Sequence, residues 1–176
     1  MDSYIESQKE YRNIELFLKF SINNKRNKNN KFKKIYEPKI SIISPLFNNE
    51  RYIMRFLSNI QYQNYNNIEI ILIDDNSRNN GKEIIEEYKK RDERIILLQN
   101  HKNKDIFSCR NLGAIFSKGK YIIFPDPDDI ISRNILKICY KYAEKKNYEI
   151  IRFNTYIVNN RVIFNDIYLR NEKKGV

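Results

Sequence analysis

From Lys39 onward the chain alternates between short, nearly continuous apolar runs and longer stretches in which apolar residues recur every three or four positions. The first pattern belongs to strands covered on both faces, the second to amphipathic helices. Residues 39–44 read as a strand halted by Pro45, and Asn48-Asn49-Glu50 as the cap of a helix with Ile53, Phe56, Leu57 and Ile60 on one face. Residues 68–73 form a β-branched and apolar run that ends in Asp74-Asp75-Asn76-Ser77. A helix over about 82–90 is expected to bury Ile84, Ile85 and Tyr88, and 94–98 supplies a third strand. Residues 107–118 form a third helix, closed by Gly119 in a C-terminal capping role. Residues 121–124 are the next strand. Ser132 then caps a helix with Ile135, Ile138, Cys139 and Tyr142 inward, and Lys145 and Lys146 suit the negative end of its dipole. A strand over 149–153 precedes a hairpin of 156–158 and 162–164 joined across Asn159-Asn160-Arg161.

This order predicts an α/β fold, an open and mostly parallel sheet with right-handed crossovers and helices on both faces. Ligands of such sheets bind beyond the carboxyl ends of the strands. Three of those ends carry unusual chemistry: Pro45-Leu46-Phe47-Asn48, Asp74-Asp75-Asn76-Ser77 and Asp126-Pro127-Asp128-Asp129. Parallel strands bring all three to one edge. In the third, Pro125 and Pro127 push Phe124 and Asp126 toward extended conformations. Alternation along an extended segment would aim Asp126 and Asp128 at one spot and Asp129 elsewhere. Crowded carboxylates call for a cation, and a hard divalent ion held by two of them keeps positions open for phosphate oxygens. A solvated acidic turn is the competing reading of the same residues.

Composition changes this picture little. At 176 residues and 41% hydrophobic the chain suits one domain with a real core. The net charge of +11 favours polyanions, anionic membrane surfaces or phosphorylated small molecules. No nucleic-acid module pattern accompanies it, so nucleic acid is not the expected partner. Two cysteines, both in helical patterns, are too few for a disulfide framework. With no long apolar run, signal-peptide pattern or Asn-x-Ser/Thr acceptor, the expected location is the cytoplasm. The abundance of Asn, Lys, Ile and Tyr reads as AT-rich coding bias, which lowers the information in each Asn or Lys cluster. Residues 1–38 stand apart. Ser3 and Glu6 make a capping box, and Tyr4, Tyr11, Ile14 and Leu18 recur at roughly helical spacing, which predicts a short amphipathic helix. Residues 25–34 then pack six cations without an acid, a flexible basic linker whose commoner role is a solvated tether and whose alternatives are contact with an anionic membrane surface or nucleic acid. The expected organisation is thus an amino-terminal helix and linker over 1–38 and one domain over 39–176.

The motifs taken together resemble family 2 glycosyltransferases of the GT-A fold. That family's pattern runs from Pro-x-Tyr-Asn-x-Glu through Asp-Asp-Gly-Ser, Asn-Lys-Gly and Ala-Arg-Asn-x-Gly to Lys-Gly-x-Tyr and Leu-Asp-Ser-Asp-Asp. Here the segments read Pro45-Leu-Phe-Asn-Asn-Glu50, Asp74-Asp-Asn-Ser77, Asn103-Lys-Asp105, Cys109-Arg-Asn-Leu-Gly113, Lys118-Gly-Lys-Tyr121 and Pro125-Asp-Pro-Asp-Asp129. The resemblance implies a nucleotide-diphosphate-sugar donor, most often a UDP-sugar, bound with Mn2+ or Mg2+, and an inverting transfer to an acceptor that is a glycan, lipid or protein. It places Asp75 at the uracil, Pro45 and Phe47 along the nucleoside, Asp126 and Asp128 at ribose and metal. Asp74, Glu50 and Arg110 join the candidate donor-binding set. Arg110 either contacts the diphosphate or pairs structurally with Asp74 or Asp75, and Glu50 reads more simply as a helix-start residue.

The departures from the pattern are Asp105, where the family carries glycine, and Pro127 between the two metal aspartates. The acidic motif that supplies the family's general base would lie well beyond Asp128. Asp166 and Glu172 are the acids available there, without the surrounding pattern. A metal-dependent glycosyltransferase is therefore the first expectation. The alternative is a nucleotide-sugar-binding module that does not complete the transfer.

Overall fold

The computed structural model describes residues 15–19, 39–158 and 161–168, with side chains over 39–151. The strands are β1 (Glu15–Lys19), β2 (Ile40–Leu46), β3 (Ile68–Asp74), β4 (Ile95–Gln99), β5 (Tyr121–Ile123), β6 (Ile130–Ile131), β7 (Ile150–Val158) and β8 (Arg161–Tyr168). The helices are α1 (Glu50–Gln61), α2 (Gly81–Lys89), α3 (Ile106–Phe116) and α4 (Ile135–Lys146). All strands join one sheet in the order β4-β3-β2-β5-β1-β7-β8-β6. The first four are mutually parallel, as their apolar runs require, and β7 and β8 form the expected antiparallel hairpin with Val158 opposite Arg161.

Alternation along the central strands divides the core in two. Ile40, Ile42, Ile68, Ile70, Leu72, Tyr121 and Ile123 face α1, α2 and α4. Ile43, Ile71, Ile73 and Ile122 face α3 through Cys109 and Leu112. Helices therefore cover both faces. On α1 the buried residues are Ile53, Phe56, Leu57 and Ile60, the set that helical spacing singles out.

Four local expectations are corrected. Helical spacing through Leu18 gives way to a strand: β1 pairs antiparallel with β5 and β7, with Leu18 opposite both Ile122 and Ile150. Tyr4, Tyr11 and Ile14 of that predicted helix lie outside the described residues, as do the basic run 25–34 and Glu172. Pro45 continues β2, opposite Ile73. Ile40 donates its amide to Asn67 O on the β3 side, so Pro45, five residues on, turns its missing N–H toward β5, whose pairing with β2 ends at Ile42 opposite Ile123. Gly119 does not cap α3, which ends at an extended Ser117. It allows close approach instead: a Cβ there would lie 2.4 Å from Ser41 Oγ and 2.6 Å from Ser41 N. Its amide donates to Ser41 Oγ (2.9 Å) and to Glu69 Oε1 (3.1 Å), a carboxylate that also takes the Ser41 hydroxyl at 2.6 Å. Finally, α4 buries Ile135, Leu136, Cys139 and Ala143, leaving Ile138 and Tyr142 exposed. Its N-cap is Asn134, and Ser132 contributes only its carbonyl, which accepts from Ile135 N at 3.1 Å. Apolar residues occupy two overlapping faces of this helix, and the face bearing the small Cys139 and Ala143 is the one that can approach the sheet closely.

Candidate functional site

The carboxyl ends of β2 and β3 are bound to each other before any ligand is considered. Asp75 N donates to Leu46 O (2.8 Å), Asn48 N to Ser77 Oγ (3.0 Å) and Arg78 N to Asn48 Oδ1 (3.0 Å). Asn48 and Asn76 both take left-handed backbone conformations, at φ 54° and 63°. Asparagine tolerates that region better than other side chains, and Asn76 occupies the position where the family pattern carries glycine. Phe47 N donates to Asn49 Oδ1 at 2.7 Å, so Asn49 braces the loop and makes no side-chain cap of α1.

The two aspartates that end β3 have different surroundings. Asp74 Oδ1 accepts from Ser77 N (3.0 Å) and its Oδ2 from Gln99 Nε2 (3.2 Å), which makes it the clasp of its own turn. Asp75 accepts from Asn100 Nδ2 (2.7 Å) and from Lys104 N at 3.0 Å on each oxygen. Asp105 caps α3: its carboxylate accepts from Ser108 N (2.8 Å) and Ser108 Oγ (2.7 Å), bonds that hold it below the usual carboxylate range. The departure from glycine at this position thus supplies a helix cap. One turn on, burial and then the neighbouring Asp75 push the Cys109 thiol up to about 11, so it is an inert wall.

The third acidic segment closes into a hydrogen-bonded turn, where alternation along an extended segment is expected to aim the carboxylates. Asp129 N donates to Asp126 O at 3.0 Å, with Pro127 and Asp128 at the two central positions. Proline suits the first of these. Asp129 Oδ2 accepts from Asp126 N (3.0 Å), and Arg55 Nη2 donates to Asp128 O (2.7 Å), so both ends and the tip of the turn are tied. Burial raises Asp129 to about 7. Asp126 is also raised, by burial against the opposing pull of Arg110, whose Nη2 lies 3.0 Å from Asp126 Oδ1. Arg110 therefore pairs with Asp126, and neither Asp74 nor Asp75 is its partner.

These ends enclose a cavity of about 450 Å3. Pro45, Leu46, Phe47 and Asn49 come from the loop after β2, and Asp75 from the end of β3. Asn103 and Asp105 come from the approach to α3, Ile106 and Cys109 from its first turn, and Asp126, Pro127 and Asp128 from the acidic turn. Of the candidate residues, Pro45, Phe47, Asp75, Asp126 and Asp128 thus line one space, and Arg110 reaches its edge through Asp126. Glu50 opens α1 and Asp74 closes its turn, both away from the lining. Asn100 and Ile106 escaped sequence reading. The rule that ligands gather at strand ends extends to β4, whose end is Gln99-Asn100, and there lie the partners of Asp74 and Asp75.

Asp126 and Asp128 put two carboxylates on one wall, and among the described residues no cluster of three or more acidic, histidine or cysteine ligands forms. That donor set fits a hard divalent ion whose other positions go to water and a ligand's phosphates, and it does not fit a site built wholly from protein. The positive shift of Asp126 is relieved by a nearby cation.

Comparison with known proteins identifies the family and the fold. The model of the family described as "Glycosyl transferase family 2" matches residues 41–172. Glycosyltransferase GlyG of Streptococcus pneumoniae is 32% identical over 117 residues, which cover 66% of this chain and 39% of GlyG. The Escherichia coli UDP-Glc:alpha-D-GlcNAc-diphosphoundecaprenol beta-1,3-glucosyltransferase WfgD is 34% identical over 70% of this chain and 48% of its own length. The chain thus spans less than half the length of these curated relatives. Among solved structures, Staphylococcus aureus TarS 1-349 in complex with UDP superposes with a TM-score of 0.59 and 26% identity, covering 62% of this chain and 33% of TarS 1-349. By its family match, its GT-A architecture and the cavity at its strand ends, the chain belongs to glycosyltransferase family 2.

Proposed function

We propose that the cavity binds a UDP-sugar together with Mn2+ or Mg2+, and that the protein transfers the glycosyl group with inversion to an acceptor hydroxyl. The observation that carries this reading is the convergence of Pro45, Phe47, Asp75, Asp126 and Asp128 on one space. TarS has been solved with UDP and with UDP-GlcNAc, and the name of WfgD specifies a UDP-glucose donor, which supports the donor class. In this reading Phe47 and Pro45 flank the base, Asp75 accepts from its edge, and Asp126 and Asp128 hold the cation. The cation, when bound, neutralises the charge that builds on the departing diphosphate. Arg110 keeps Asp126 directed at the cavity and adds positive charge beside the leaving group.

A second reading, donor binding without completed transfer, is favoured by one observation. Each acid lining the cavity other than Asp128 already holds a donor: Asp75 from Asn100, Asp105 from Ser108, Asp126 from Arg110. A general base needs an uncommitted acceptor within reach of the acceptor hydroxyl. Thermal unfolding with UDP-GlcNAc and Mn2+ tests the shared core of both readings. The melting temperature is expected to rise by several degrees, and Asp128→Ala to abolish the rise. No rise with any nucleotide-sugar overturns both. Release of sugar from a labelled donor, to water or to an acceptor, then separates transferase from binding module.

A further inference from the structure

We infer that Asn100 is the positioning residue that sets the Asp75 carboxylate and thereby gives the cavity its preference for uracil over cytosine. The inference rests on the nucleotide-sugar reading above and adds to it the residue that enforces base choice.

Asn100 sits immediately beyond β4 and is 8% exposed. Its main chain is anchored, because Asn100 N donates to Asp74 O at 2.9 Å. Its side-chain amide donates to Asp75 Oδ1 at 2.7 Å and lies 3.3 Å from Cys109 Sγ. Asp75 is itself only 4% exposed, yet it lines the cavity. The carboxylate's second tie is Lys104 N, at 3.0 Å from each oxygen, on a solvent-exposed loop. Every one of these contacts brings a donor, so the group is held as an acceptor at the cavity wall. The amides of Asn100 and Lys104 together place two bonds on Oδ1 and one on Oδ2, so Oδ2 is the less committed of the two toward these amides, and the Cys109 thiol packs against the same carboxylate.

A base whose edge bears an N–H satisfies that oxygen. Uracil offers N3–H, whereas cytosine presents a lone pair at the same position and leaves a buried carboxylate oxygen opposed to an acceptor. Sites built around such a polar pairing discriminate strongly, because the wrong partner leaves a desolvated group unpaired. The terminal torsion of an aspartate is soft, so the discrimination depends on what fixes it. The rigid part of that fixing is Asn100, since its backbone and side chain are both bound into the β3 end.

The test is calorimetric titration of the whole chain with UDP and with CDP in the presence of Mn2+, in wild type and variants. Wild type is expected to prefer UDP by at least about tenfold, and Asn100→Ala to lower that ratio by about tenfold through weaker UDP binding, with CDP little changed. Asn100→His, whose Nδ1–H stands where the asparagine amide stands, is expected to restore the preference. Lys104→Pro, which deletes the second donor from an exposed loop, is expected to lower the ratio without depending on the folding of a core variant. An unchanged ratio in Asn100→Ala, or equal losses of UDP and CDP, overturns the inference while leaving the nucleotide-sugar reading in place. Wild type that binds neither nucleotide overturns that reading and the inference with it. Wild type that binds both alike overturns the inference alone.

Discussion

Gly119 shows how a residue read correctly as important can be important for another reason. Its position after a helical pattern points to a cap, but no glycine among the described residues has positive φ, and the nearest atoms to a Cβ would be Ser41 Oγ and the backbone of Ser41 and Ile40. Backbone cannot step aside as a side chain can. Gly119→Ala is therefore expected to destabilise the fold by about 1–3 kcal/mol, the cost of overpacking, as measured by urea unfolding. Asn76 is the opposite case. At φ 63° it carries a strain that glycine avoids, so Asn76→Gly should be close to neutral and Asn76→Ala should lose about 1 kcal/mol by the same assay. Left-handed tolerance of asparagine explains why the turn stands without the family's glycine, a departure that sequence reading passed over. Asn100 was not legible because nothing local distinguishes it in a chain so rich in asparagine. Only its contact with Asp75, 25 residues away, gives it meaning.

Among the elements, the helices and parallel strands between Ile40 and Lys146 were readable because period and burial agree in them, as on α1. The face of α4 was not, since two apolar stripes overlap and packing alone chooses between them. The acidic turn is the instructive element. Prolines on either side of Asp126 suggest extension, yet Pro127 is as well suited to the first central position of a turn, and the Asp129 amide closes that turn on Asp126. The result preserves the expected outcome, Asp126 and Asp128 on one cavity, by different geometry. It also buries Asp129, whose carboxyl is raised from an ordinary 3.8 to about 7. Between those two values the native state keeps a proton that the unfolded chain has released, so this group's contribution to stability falls as pH rises from about 4 to 7. Asp129→Asn retains an oxygen to accept from Asp126 N and removes the titration. Its melting temperature, compared with wild type in the absence of metal, should gain progressively across that interval, and parallel curves would contradict the assignment.

At the scale of the molecule, the parallel strands and the β7-β8 hairpin followed from the pattern, whereas the join between them depended on a strand that carries no strand signature. Glu15–Lys19 lies in a stretch whose apolar spacing is closer to helical, and its state is fixed by β5 and β7 on its two sides. Tertiary pairing overrides local preference in short segments. Leu18 has neighbours in both directions, opposite Ile122 and Ile150. Leu18→Pro removes a ladder hydrogen bond from an interior strand and is expected to cost about 3 kcal/mol or more, visible as a lowered melting temperature. A change no larger than that of an exposed loop substitution would show that β1 adds little to the sheet.

The placement of β1 also fixes an order of events. Its partners β5 and β7 begin at Tyr121 and Ile150, roughly a hundred residues or more later in the chain. A ribosome therefore emits β1 well before either of the strands that flank it. Until they arrive, the sheet has only β2, β3 and β4 to build on, and β1 lacks both of its partners. Contacts so distant in sequence slow folding and lengthen exposure to wrong partners. Refolding should thus show an early phase reporting β2, β3 and β4 and a slower one reporting closure around β1.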